Sequence, residues 1–310
     1  MACLDVAAKE RLAALCQLEE IPVLWDEPMK NHTSFKIGGP AAALCAPKNR
    51  RQLRELVGFV QREGVDSWYI GNGSNLLVSD AGLNGIAILL DSSFDGEIEL
   101  DGTVLLAPAG KKLSAVCAAA CAAGLTGLEF AYGIPGSVGG AVYMNAGAYG
   151  GEMKDVLASA RVLSPDGSAE TMGAEELGLS YRHSALEGSG RVLTGAVFRL
   201  RPDSGAEIAA RMRALAEKRR ASQPLEWPSA GSTFKRPQGG YAAAMIDQAG
   251  LKGLAVGGAK VSEKHAGFII NAGGATYADV TALIAEVQRR VFERFGVMLE
   301  PEVRILGPEG

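Results

Sequence analysis

Between Gly133 and Gly151 the chain crosses nineteen residues that hold seven glycines and no charged side chain. Gly133-Ile134-Pro135-Gly136-Ser137-Val138-Gly139-Gly140 opens the run, and Asn145, Gly147 and Tyr149 follow in its second half. Few folds can absorb such a segment, because glycine loses more backbone freedom on folding than any other residue. Its benefit is close approach. Without Cβ atoms, backbone can lie against a flat ring or a pyrophosphate, and successive N–H groups can form a concavity for an anion. A dinucleotide cofactor needs both features; a tightly turned structural loop is the plainer alternative. The chain as a whole carries 40 glycines in 310 residues, roughly twice the usual share.

A second loop, Gly71-Asn72-Gly73-Ser74-Asn75, directly follows the strand-like Trp68-Tyr69-Ile70. It is not a Rossmann fingerprint, because Leu76 stands where the last glycine would be, and it lacks the Gly-Lys-Ser/Thr of a Walker loop. Alone, it is equally well a simple turn.

The remaining composition excludes several classes. A net charge of -4 gives no basic footprint for nucleic acid. Five scattered cysteines (Cys3, Cys16, Cys45, Cys117, Cys121) make a poor disulfide framework and fit a reducing cytoplasm. Cys117 and Cys121 share a helical face, but no Cys or His partner stands at ligand spacing, so no metal site is expected. The N-terminus has no signal-peptide core, and the most apolar stretch, about Leu113 to Leu125, is too short to span a bilayer.

Hydrophobic spacing predicts helices over 4–20, 49–63 (Leu53, Leu56, Val57, Val60, stopped by Gly64), 111–123, 241–249 and 277–295, with Thr276 and Asp279 as the cap of the last. A further helix is expected after Ser204, with Glu207 completing a capping box. It ends in Lys218-Arg219-Arg220, read as solvated charge at the negative helix end. Strands are expected on both sides of the Gly-Gly-Pro turn within Asn31–Pro47, and at Leu76–Val78, Ile86–Leu90, 159–164, 168–172, Val192–Leu200 and Pro301–Leu306. In the last of these, alternation puts Val303 and Ile305 on one face and Glu302 and Arg304 on the other.

Four segments occur in a recognisable order: the Gly133 loop, Ser180-Tyr181-Arg182-His183-Ser184, Ala230-Gly231-Ser232-Thr233-Phe234-Lys235, and Glu302-Val303-Arg304. Both glycine loops resemble the cofactor loops of the vanillyl-alcohol-oxidase/PCMH-type FAD-binding fold. Within that fold the wording is similar to the UDP-N-acetylenolpyruvoylglucosamine reductase (UDP-N-acetylmuramate dehydrogenase) family from Asn31 to Leu306. Only Ser184 to Arg191 separates the Arg182 motif from the next strand, so the resemblance is to the shorter subtype, which lacks an extra Tyr-bearing loop.

The resemblance implies an α+β fold: FAD-binding subdomains over 1–92 and 93–207, and an α/β substrate-binding domain over 208–296. The C-terminal segment 297–310 is a candidate to return to the first subdomain. It implies non-covalent FAD held by Gly71, Asn72, Gly73, Ser74, Asn75, Gly133, Ile134, Pro135, Gly136, Ser137, Gly139, Gly140, Asn145 and Gly147. It further implies NADPH as co-substrate and UDP-N-acetylglucosamine enolpyruvate as substrate, in a cytoplasmic monomer that makes peptidoglycan precursor. Arg182 would face the substrate carboxylate, Glu302 would add a hydrogen bond, and Ser232 would be the general acid. Tyr149, Lys235, His265 and Arg304 would line the substrate. From the bare residues, Arg182 reads first as an ion-pair partner and Ser232 as a turn or cap serine, while His265 is equally a satisfied structural histidine. Two further possibilities stay open: a flavin oxidase of the same fold with another substrate, and a catalytically silent nucleotide-binding protein.

Overall fold

The computed structural model describes residues 3–307. The chain divides into two compact units, between which it passes repeatedly: the first holds Met1–Trp25, Ala43–Asn72 and Gly85–Lys218, the second Asp26–Ala42, Gly73–Asn84 and Arg219–Gly310.

In the first unit, helix α1 (Val6–Leu18) starts where the Asp5 carboxylate accepts a hydrogen bond from Ala8 N at 2.7 Å. Helix α2 (Arg50–Glu63) is capped by Asn49 and stopped by Gly64 in the left-handed region. Its buried Gln52 donates to the carbonyl of Glu19, 2.8 Å away, tying the end of α1 to α2. The strand Ser67–Ile70 leaves α2 and pairs in parallel with Leu83–Leu89. A five-stranded antiparallel sheet follows, in the order 169–173, 157–163, 192–199, 104–108, 99–101. The hairpin at Asp101-Gly102 turns through Gly102 at φ 57°. Helix α3 (Leu113–Ala122) and the short helix α4 (Val138–Tyr143) follow, and α4 packs on the strands 192–199 and 104–108. Helix α5 (Gly205–Ser222) leads out of this unit, with Glu207 in its first turn and Arg219 and Arg220 in its last.

In the second unit the strands Ser229–Ser232, Phe268–Asn271, Ala259–Val261 and Ala255–Val256 form an antiparallel sheet in that order. Helices α6 (Ala242–Gln248) and α7 (Tyr277–Phe295) accompany it. The α7 stripe Val280, Leu283, Ile284, Val287 and Val291 is buried in one core with Phe35, Leu77, Phe234 and Ile246. Thr276 and Asp279 form the reciprocal cap expected of them, and Gly296 ends the helix at φ 69°. Main-chain N–H groups of Thr276 and Gly258 hold the Asp279 carboxyl below the usual carboxylate range.

Two expectations need correction. No strand lies between Asn31 and the Gly-Gly-Pro turn: Met29–Asn31 is a short 3₁₀ turn, and residues 33–37 close on themselves. Thr33 Oγ1 donates to Ile37 O, Lys36 N donates to Thr33 O, and Lys36 sits at φ 58°. The strand that sequence spacing misses, Val23–Pro28, has no buried residue and so carries no apolar alternation. At the other end, regular pairing covers only Arg304–Leu306, which runs parallel to Leu76–Val78, while Pro301 makes an isolated bridge to Phe234. Residues 308–310 of the expected C-terminal segment lie outside those described.

Candidate active site

Within the first unit the start of the first glycine loop, Gly71-Asn72, meets the second. The Asn72 side-chain amide donates to the carbonyl of Pro135. A Cβ on Gly71 would fall 2.1 Å from Ser137 Oγ, so this approach requires glycine. Ser137 begins α4, its hydroxyl accepting from Gly140 N at 3.3 Å. The loop is strapped to residues 109–113 by Gly139 N to Ala109 O (2.8 Å), Val138 N to Lys111 O (2.9 Å) and Leu113 N to Gly136 O (3.0 Å). Neither loop carries a carboxylate, so two uncharged, Cβ-poor strips of backbone lie side by side. Close approach of a flat ring and a pyrophosphate needs such Cβ-poor, uncharged backbone, and FAD fits it.

Beyond α4 the described residues include three non-glycine positions at positive φ: Asn145 (40°), Tyr149 (54°) and Arg182 (56°). Such conformations are costly for side-chain-bearing residues, cluster at functional sites, and persist only where surrounding contacts enforce them. Tyr149 and Gly150 turn a two-residue hairpin between 147–148 and 151–152. The Lys218 ammonium lies 5.4 Å from the Tyr149 ring centroid, a cation–π contact. Lys218 was expected to be solvated charge at a helix end; its stacking has no signal in helix periodicity. Arg182 occupies the third position of a turn closed by Ser180 N to His183 O (3.1 Å) and His183 N to Ser180 O (3.2 Å). Its guanidinium stands 5.2 Å from the Tyr181 ring centroid.

Within the second unit the remaining residues gather along one set of strand edges. Two Cα partnerships fix the strand Ser229–Ser232: Ser229 opposite Ile270 and Ser232 opposite Phe268, with one extra residue between them on the first strand. Gly231, at φ 78°, absorbs this bulge, which bends the strand and re-aims the side chain that follows. Ser232 is that side chain. Its neighbour Thr233 is the junction of the site. Thr233 N donates to Gly267 O (2.8 Å), Thr233 O accepts from Glu302 N (2.8 Å), and Thr233 Oγ1 accepts from Ile269 N (3.0 Å). Asn75 completes the frame: its side chain donates to Glu302 O at 3.1 Å and its carbonyl accepts from Arg304 N at 2.9 Å. Gly73 is needed here as well, since a Cβ at its φ of 59° would lie 1.9 Å from His32 O.

His265 Nδ1 accepts from Gly267 N at 3.2 Å, and the ring sits edge-on to Phe268. Burial lowers its pKa, with a smaller push in the same direction from Lys252. The ring is therefore held neutral, with its proton on Nε2. Lys235 is paired with Glu300 by both main chain and side chain. Ser232, Glu302, Arg304, Asn75 and His265 are thus assembled within one unit, and Arg182, Asn145 and Tyr149 within the other.

Residues 41–173, which include both glycine loops, match the family described as FAD binding domain. Residues 223–306, which include Ser232, Lys235, His265, Glu302 and Arg304, match that described as UDP-N-acetylenolpyruvoylglucosamine reductase, C-terminal domain. Similarity to whole proteins is decisive. The UDP-N-acetylenolpyruvoylglucosamine reductase of Enterococcus faecalis is 49% identical over 297 residues, 96% of this chain and 98% of its own length. The chain belongs to the UDP-N-acetylenolpyruvoylglucosamine reductase family. Another member, from Agathobacter rectalis, is 50% identical over 303 residues, covering 94% of this chain and 96% of its own. The crystal structure of the reductase from Thermus caldophilus covers 93% of this chain and 99% of its own at a TM-score of 0.78, with 36% identity. The family's α+β architecture with its FAD-binding domain is therefore that of this chain. No helix among the described residues is long and apolar enough to cross a membrane.

Proposed function

We propose that this reductase uses NADPH and non-covalently bound FAD to convert UDP-N-acetylglucosamine enolpyruvate to UDP-N-acetylmuramate, as a cytoplasmic monomer that supplies peptidoglycan precursor. In this assignment 1–92 and 93–207 are the FAD-binding subdomains and 208–296 the substrate-binding domain. Backbone from Gly71, Asn72, Gly73, Ser74 and Asn75 and from Gly133, Ile134, Pro135, Gly136, Ser137, Gly139, Gly140 and Gly147 holds the cofactor. When bound, FAD supplies hydride transfer from NADPH to the vinyl carbon of the substrate.

The chain's own residues then have three tasks. Negative charge develops on the substrate carboxylate as hydride adds to the conjugated vinyl carbon, so a cation and a hydrogen-bond donor belong opposite it. Arg182 is the cation, its fork matched to a carboxylate, and Glu302 in its protonated form is the donor. Ser232 Oγ–H delivers the proton to the adjacent carbon, acting through proximity because a serine hydroxyl is a weak acid in water. Tyr149, Lys235, His265 and Arg304 line the substrate, with His265 a neutral donor.

The observation that carries this assignment is that Ser232, re-aimed by the Gly231 bulge, immediately precedes Thr233, whose carbonyl accepts from Glu302 N. The test is anaerobic. Purified protein should be yellow, bleach with NADPH and regain its colour with the enolpyruvyl UDP-sugar. A folded protein devoid of flavin would refute the assignment. Rapid return of colour with oxygen alone, and none with the sugar nucleotide, would favour an oxidase.

A further inference from the structure

One buried amide anchors the turn that bears Arg182. Asn145 is 1% exposed. Its Nδ2 donates to Glu152 Oε2 at 2.6 Å and to the Ser180 carbonyl at 3.0 Å, while Oδ1 accepts from Lys154 N at 3.0 Å. Ser180 O is the same oxygen that accepts from His183 N to close the turn around Arg182. Just past the turn, buried Ser184 donates through its hydroxyl to Tyr143 O at 2.7 Å, two residues before Asn145. The turn is thereby fastened at both ends to the segment leaving α4. A left-handed arginine needs such enforcement to stay in place.

We infer that Asn145 is a positioning residue: through the Ser180 carbonyl it fixes the backbone from which Arg182 reaches the substrate. Its side-chain donors and acceptor are committed to the protein and its N–H donates to Val142 O at 3.1 Å, which leaves its carbonyl to meet the cofactor. The inference rests on the role proposed above for Arg182.

The test is a double-variant cycle of Asn145→Gly and Arg182→Ala, reading FAD content, flavin bleaching by NADPH, and kcat and KM for the enolpyruvyl UDP-sugar. Glycine accepts a φ of 40° without strain, so the change isolates the lost amide. Asn145→Gly should retain FAD and bleach with NADPH, yet lose about 100-fold in turnover on the sugar nucleotide, the scale of a misplacement of about 1 Å. In the Arg182→Ala background the same change should alter turnover by less than about twofold, because the two residues act as one. Equal losses in both backgrounds, or no loss in an FAD-loaded Asn145→Gly enzyme whose Arg182→Ala counterpart is impaired, would overturn the inference alone. A fully active Arg182→Ala enzyme would remove Arg182 from the mechanism and the inference with it. Should Asn145→Gly not fold, Asn145→Asp keeps the shape and the acceptor for Lys154 N while replacing both donor contacts; the same non-additivity is expected, and additivity would contradict it.

Discussion

In the first unit the loops that meet at Gly71 and Ser137 present backbone, and their polar side chains turn onto the protein itself. Asn72 bonds to Pro135, Ser137 to Gly140, and Asn145 to Glu152 and Ser180. The second unit does the reverse. There the main chain of Thr233, Gly267, Glu302 and Asn75 is consumed in holding the frame, and the side chains of Ser232 and Glu302 are what the frame carries. A site built from backbone is sensitive to every added atom, because nothing can be trimmed to make room. A site built from side chains tolerates substitution structurally and loses chemistry instead. The two halves should therefore fail in different ways.

The largest effect is expected at Ser232. Ser232→Ala should lower turnover by about two to four orders of magnitude, the usual loss for a general acid, with FAD content and folding unchanged. Steady-state rates and flavin absorbance check both points. Next comes Gly71→Ala. Its Cβ would stand 2.1 Å from Ser137 Oγ, and relieving such overpacking costs about 1–3 kcal/mol, or roughly 5- to 150-fold in FAD affinity. Titration of apoprotein with FAD measures it. Adding Ser137→Ala removes the clashing oxygen and should restore part of the loss; no recovery would mean that the loops do not touch as described.

Much of this division could be read in the sequence. The density of uncharged glycine marked two loops that the structure brings into contact at Gly71, Asn72, Pro135 and Ser137, and α2 and α7 followed from 3.6-residue spacing and their caps. The strand Val23–Pro28 could not be found that way, since a strand without a buried residue has no face to imprint alternation. The loop 31–39 was misread because β-like composition says nothing of a left-handed Lys36. The same holds for Arg182, whose turn is fastened by Asn145 to Ser180 O and by Ser184 to Tyr143 O, partners remote in sequence. The importance of Ser232 was visible only by resemblance to a family; the bulge that aims it depends on pairing with Phe268, which the local sequence does not announce.

Two smaller predictions probe the second unit's frame apart from its chemistry. Thr276→Ala removes the hydroxyl that accepts from Asp279 N at 3.1 Å and should cost about 1 kcal/mol of stability. Urea unfolding would show this, with turnover of the folded enzyme unchanged. His265→Asn keeps an acceptor for Gly267 N but cannot titrate. Since burial lowers the folded-state pKa of His265, the unfolded chain binds its proton first as pH falls. The wild type should then lose stability on acidification below about 6.5. The variant should show a shallower decline over that window, and identical slopes would contradict a buried neutral imidazole.

The most direct measurement follows the flavin of Ser232→Ala through each half of the cycle separately, without oxygen. NADPH should bleach it at close to the wild-type rate, and the enolpyruvyl UDP-sugar should restore its colour about a hundredfold or more slowly. Restoration at the wild-type rate, or failure of bleaching in a protein that still holds FAD, would contradict the assignment of proton delivery to Ser232 and of cofactor holding to backbone that Ser232 does not touch.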